Sequence, residues 1–200
     1  VHDQLLGSTQ PVLSISLQPG ESVVAATGEF AWMTDAIQMT AGQGGMSAYL
    51  AKAGAGTVAF ASRLPGSIMS IEVAPGHEFM VHHRAFLAGT PGIEISTGFR
   101  QPLGPAGAAA EEFVLERIGG AGRAWVELSG DVVRRDLRAG VSLRTRPWHI
   151  GISDASVAVQ VAELDEPADR PAGRHARQLA VLSGPGSVWL QSMPRRTHQS

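Results

Sequence analysis

The chain has 200 residues, 44% of them apolar and 17% charged, with a formal net charge of −2. That length can bury a substantial core in one to three compact units, and the near-neutral balance gives no global field for nucleic acid or acidic membranes. With no cysteine, disulfide frameworks, thiolate zinc sites and thiol nucleophiles are excluded. No apolar run approaches the ~20 residues of a transmembrane helix. Nothing at the start reads as a signal peptide, although a leader preceding Val1 is left open, and a cytoplasmic location is expected. Gly and Pro, at 24 and 12 residues, exceed their usual combined ~12% and suit a turn-rich β protein.

In chain order, Leu13-Ser14-Ile15-Ser16-Leu17 alternates apolar and polar with the period of a half-buried strand. Pro19-Gly20 then makes a turn, Pro fixing φ at the first corner and Gly accepting positive φ at the second. Phe30-Ala31-Trp32-Met33 places Phe30 and Trp32 on one strand face and Met33 on the other. A segment apolar on both faces belongs to a core or an interface, and these three residues are the candidate subunit interface. Gln43 to Lys52 is read as one or two helical turns. Gly54-Ala55-Gly56 opens the apolar strand Val58-Ala59-Phe60.

The same order then recurs. Ile71-Glu72-Val73, the Pro75-Gly76 turn and Glu78-Phe79-Met80-Val81 repeat the strand–turn–strand unit, and Gly120-Ala121-Gly122 opens Ala124-Trp125-Val126-Glu127-Leu128. Val132 to Leu137 and Ala139-Gly140 are a weaker third version, and Gly184-Pro185-Gly186 opens Val188-Trp189-Leu190-Gln191. Pro19 to Pro75 and Thr34 to Thr90 are both 56 positions apart, so two independent anchors agree. The pattern predicts an all-β protein of three tandem repeats over about 10–66, 67–130 and 131–194, forming one compact body over 1–200 with a tail over 195–200. Gln101 to Glu112 reads as a Gly-, Pro- and Ala-rich loop, and 163–178 as a polar, solvent-exposed loop.

Chemical motifs are few. Gly54-Ala55-Gly56-Thr57-Val58-Ala59 matches a dinucleotide fingerprint in letters, but a strand pattern follows where a helix is needed, so a tight turn is expected. His77, His82, His83 and His149 suggest a cupin-like metal enzyme only if the fold gathers them, since the adjacent His82 and His83 point to opposite faces of a strand. Asp131, Asp136 and Asp154 are placed as turn and strand-end residues, and no nucleophile elbow, zincin motif or P-loop occurs. Trp125, Trp148 and Trp189, with Trp32, are read first as core. Arg134-Arg135 and Arg195-Arg196 are solvated pairs without an aromatic ladder, so nucleic-acid binding is weakly signalled. No catalytic, metal or cofactor residue is assigned.

Glu21-Ser22-Val23-Val24 followed by Trp32-Met33-Thr34-Asp35-Ala36-Ile37-Gln38-Met39 resembles the opening of the mitochondrial-biogenesis (altered inheritance of mitochondria) family. Phe86-Leu87-Ala88-Gly89-Thr90-Pro91-Gly92-Ile93-Glu94 is similar to its central signature, and the segment from Gly184 to Pro194 to its closing one. The resemblance implies tandem β units like the tryptophan RNA-binding attenuation protein, a short relative of the double-stranded β-helix, packed about a pseudo-threefold axis. It carries no catalytic residues over. The chain departs from the family in a shortened Ala41–Ala53 insertion and in the polar stretch from Glu163 to Gln178. A self-associating, non-enzymatic scaffold or interaction protein is the expected function, with a small-molecule or RNA binder using clefts between repeats as the alternative.

Overall fold

The structure is a computed structural model and describes residues 1–103, 111–163 and 178–195. Strand β1 (His2–Leu6) precedes three sets of six. The first set is β2 (Val12–Leu17), β3 (Ser22–Ala26), β4 (Phe30–Met33), β5 (Ile37–Ala41), β6 (Met46–Ala51) and β7 (Gly56–Ala61). The second is β8 (Gly66–Val73), β9 (Phe79–His82), β10 (Phe86–Gly89), β11 (Ile93–Leu103), β12 (Glu111–Gly120) and β13 (Gly122–Ser129). The third is β14 (Val132–Leu137), β15 (Ser142–Thr145), β16 (Ile150–Asp154), β17 (Ala158–Glu163), β18 (Gln178–Ser183) and β19 (Gly186–Gln191).

One pairing plan serves all three sets. The last strand of a set pairs with the first and third: β7 with β2 and β4, β13 with β8 and β10, β19 with β14 and β16. The fifth pairs with the second and fourth: β6 with β3 and β5, β12 with β9 and β11, β18 with β15 and β17. Sets are then joined by the second strand of one pairing with the third strand of the next, β3 with β10 and β9 with β16. Each six-stranded sheet therefore mixes two sets.

Local chemistry repeats with the pairing. Gly20, Gly76 and Gly140 have φ of 85°, 79° and 79°. Each turn is closed by a backbone hydrogen bond: Glu21 N–H to Gln18 O at 2.9 Å, His77 N–H to Ala74 O at 2.9 Å and Val141 N–H to Arg138 O at 3.0 Å. Positive φ at the third turn position is what glycine supplies. The second glycine of each Gly-x-Gly has a different reason, which is close approach. A Cβ on Gly56 would sit 2.7 Å from Ile37 Cδ1, one on Gly186 2.7 Å from Val157 Cγ2, and one on Gly122 would overlap Thr90 Oγ1. The residue after each glycine is tied to the same turn. Thr57 N–H donates to Thr34 Oγ1 at 3.0 Å, Arg123 N–H to Thr90 Oγ1 at 3.0 Å and Ser187 N–H to Asp154 Oδ2 at 2.7 Å.

The strands divide into two compact units. The first, Val1–His77 with Arg84–Glu94 and Gly119–Asp131, holds a four-stranded sheet in the order β1-β2-β7-β4 and a six-stranded sheet in the order β5-β6-β3-β10-β13-β8. Its core draws Leu13, Ile15, Val58 and Phe60 from the first sheet and Val23, Tyr49, Leu87 and Trp125 from the second. The second unit holds a six-stranded sheet in the order β11-β12-β9-β16-β19-β14 and a three-stranded one in the order β15-β18-β17. Met80, Phe113, Leu115, Ile150 and Val188 of its larger sheet pack with Ala180 and Leu182 of the smaller.

Some expectations change. Gln43 to Lys52 is not helical: Met46 to Ala51 form β6 with alternating burial, because Val23 and Ala25 across the pair reward period two and no helix caps intervene. Trp125 and Trp148 are core, but Trp32 is exposed and Trp189 is half-buried beneath the Arg134 guanidinium, 5.2 Å from the ring centroid. The loops expected over 101–112 and 163–178 lose their ends to strands: positions 101–103 belong to β11, 111–112 to β12 and 163 to β17, and Gln178 is buried at the start of β18. Positions 104–110 and 164–177 lie outside the described residues, as do the tail positions 196–200. No helix among the described residues is long and apolar enough to cross a membrane.

Candidate functional site

The feature that asks for a functional explanation is β4. Its four residues are all exposed, with Phe30 at 36%, Trp32 at 48% and Met33 at 36%. Its counterparts in the other sets, β10 and β16, are buried throughout apart from the last residue of β16, Asp154. The three strands are otherwise built alike. Each carries an irregularity against its Gly-x-Gly strand, between Phe30 and Trp32, Phe86 and Ala88, and Ile150 and Ile152. The extra residue breaks strict alternation, so Phe30 and Met33, opposite Phe60 and Val58, share one face and Trp32, opposite Ala59, takes the other, in place of the Phe30–Trp32 face expected from sequence.

What differs is the neighbour. β10 lies between β3 and β13, and β16 between β9 and β19, whereas β4 is the end of its sheet with β7 on one side. Phe30 is partly anchored: its ring stacks on Tyr49 at 5.7 Å with an interplanar angle of 17°, and Tyr49 meets Phe60 edge-on at 5.1 Å. Burial pushes the Tyr49 phenol up from its ordinary value. Beside β4, the 3-10 turn Thr27–Glu29 sets the buried Glu29 2.9 Å from Arg63 Nε, which also bonds the buried Glu127 at 3.1 Å. This acid–Arg–acid cluster holds the base of the edge strand firmly and was not anticipated from sequence.

The other candidates do not converge. The His82 imidazole is buried among Phe113 and Trp148, with centroids 6.1 Å away in each case, and its Nδ1 bonds the His83 carbonyl at 3.0 Å. Burial pulls it down to about 4. His83 Nδ1 instead meets Glu116 at 2.8 Å, and His149 Nδ1 the Gln191 carbonyl at 2.8 Å. Among the described residues no group of three His, Asp or Glu side chains could hold a metal. Asp154 accepts from the Ser187 amide, and Asp136, held below its usual range by the Ser187 hydroxyl and Arg134, lies on β14. Gly56 starts a strand, not a helix, so the fingerprint-like segment presents no helix N-terminus to a pyrophosphate. Arg195 is buried with its amide on the Trp148 carbonyl at 3.1 Å, not solvated.

The geometry thus defines an all-β protein of paired sheets whose distinctive surface is an apolar sheet edge. A crystal structure of a Streptococcus pyogenes protein has this fold, with a TM-score of 0.77 at 17% identity over 96% of this chain and 94% of that one. The model of the mitochondrial biogenesis AIM24 family matches residues 4–193, and the chain belongs to that family. No curated protein matches the sequence.

Proposed function

We propose that this protein is a non-enzymatic scaffold or interaction protein that self-associates, with β4 as its contact surface. One observation carries the reading: β4 is exposed over all four residues while its counterparts β10 and β16 are buried wherever a second strand covers them. Exposed apolar edge strands invite pairing, and proteins blunt such edges with short length, bulges, charge or proline. β4 is short and bulged but carries neither charge nor proline, so its apolar side chains stay available to a partner. The absence of cysteine supports a reducing compartment, and the cytoplasm is the proposed location. The recurrence of six strands, their turns and their glycines supports descent from one triplicated unit.

Mass by light scattering across a wide dilution series tests the proposal. A discrete oligomer is expected, and a monomer at every concentration would overturn it.

A further inference from the structure

Resting on that self-association, we infer that the strand covering β4 is β15 of a second copy of this chain, paired antiparallel, so that assembly is head-to-tail. The pairing plan leaves one partner over at each end. The second strand of a set meets the third strand of the next twice, as β3–β10 and β9–β16. Continuing that rule, β15 needs a third strand beyond it and β4 needs a second strand before it. Both strands are sheet ends: β4 closes the order β1-β2-β7-β4, and β15 opens the order β15-β18-β17.

Burial follows the same count. β9 is buried throughout and β3 at alternate positions, but β15 has no buried residue. Joining the two ends gives β17-β18-β15 followed by β4-β7-β2-β1 of the second copy. That is the strand order of the existing six-stranded sheets with β1 added. The two incomplete sheets thus complete one another, and a contact between unlike surfaces is heterologous.

The internal pairs also fix the register. Gly89 faces Val24 and Ser153 faces Met80. By their bulges and turns, Met33 corresponds to Gly89 and Ser153, and Arg144 to Val24 and Met80. Met33 should therefore face Arg144 of the second copy, and Trp32 should face Thr145. Of the two counterparts of Arg144, Val24 stays half-buried when paired and Met80 is buried, and Arg144 suits a place of the first kind. An arginine there lays its stem along the sheet and keeps its guanidinium in water.

Because the chain has no cysteine, single cysteines report the contact without background. Facing Cα atoms on antiparallel strands are about 4.5–5.5 Å apart, within disulfide reach. Differently tagged Met33→Cys and Arg144→Cys chains are co-expressed and mildly oxidised, with light scattering on the same samples. Both positions are at the surface, and circular dichroism confirms folding. A two-chain product carrying both tags is expected, with only background from either variant alone or from Gln38→Cys, on the sheet-end strand β5, paired with Arg144→Cys. An oligomer in which Met33→Cys crosslinks to itself, or in which the mixed pair gives nothing, overturns head-to-tail pairing and leaves self-association standing. A monomer overturns both.

Discussion

Replacing Trp32 with Asp separates the contact surface from the fold. Trp32 is 48% exposed, so pairing would remove on the order of 100 Å² of indole from water, worth ~2.5 kcal/mol. A carboxylate in its place adds an unpaired polar group in the contact, a further cost of about 2 kcal/mol. The two together weaken each contact by roughly 10³-fold in dissociation constant. The subunit itself should be nearly untouched, because Trp32 is outside the core cluster and an aspartate in an exposed strand costs at most about 1 kcal/mol. Size-exclusion chromatography with light scattering reads the mass, and thermal unfolding at high dilution reads the subunit. Wild type should hold its oligomer where W32D runs as a monomer with a cooperative transition. An oligomer of unchanged mass in W32D would refute the reasoning and remove β4 from the interface.

Four further outcomes test the fold beneath the surface. Gly122→Ala should destabilise by about 2–3 kcal/mol in urea unfolding, because the new Cβ would overlap Thr90 Oγ1 at φ +142°. Gly76→Ala, with φ +79° and open space, should cost only about 1 kcal/mol. Arg63→Ala takes away the cation that buried Glu29 and Glu127 share, and should cost about 2–3 kcal/mol since Arg63 itself is partly exposed. His82 gives a pH dependence. Its folded value of about 4 lies below the ordinary 6.5, so between these the unfolded chain binds the extra proton. The stability tied to the neutral ring is complete above pH 6.5 and is lost as pH falls towards 4, a change of about 3 kcal/mol. His82→Phe should flatten that part of the urea-midpoint profile. A slope unchanged by the substitution would assign the pH dependence to other groups.

The recurring turns were legible in sequence because Pro-Gly and Gly-x-Gly encode local backbone demands, and the strands after them followed. The apolar run at Phe30, Trp32 and Met33 was legible too, as a strand with no polar face. Three things were not. Met46, Tyr49 and Leu50 fall at helical spacing as well as strand spacing, and only the partner β3 decides between them. The exchange of strands between sets was invisible, because which strand lies beside β10 is a long-range matter that no local pattern records. The role of Glu127 in Ala124-Trp125-Val126-Glu127-Leu128 was not read from sequence, and the structure buries it against Arg63. A lone carboxylate inside an apolar strand was the signal available.

Hydrogen exchange at β4 tests the central claim most directly. An uncovered sheet-end strand leaves its outward amides to water, whereas a strand held on both sides exchanges slowly. In the assembled protein, amides of residues 30–33 should be protected as strongly as those of 86–89 and 150–153, and in W32D that protection should be lost at β4 and at the strand that covers it, with β10 and β16 unchanged. Fast exchange at β4 in the wild-type protein, beside slow exchange at β10 and β16, would contradict the account.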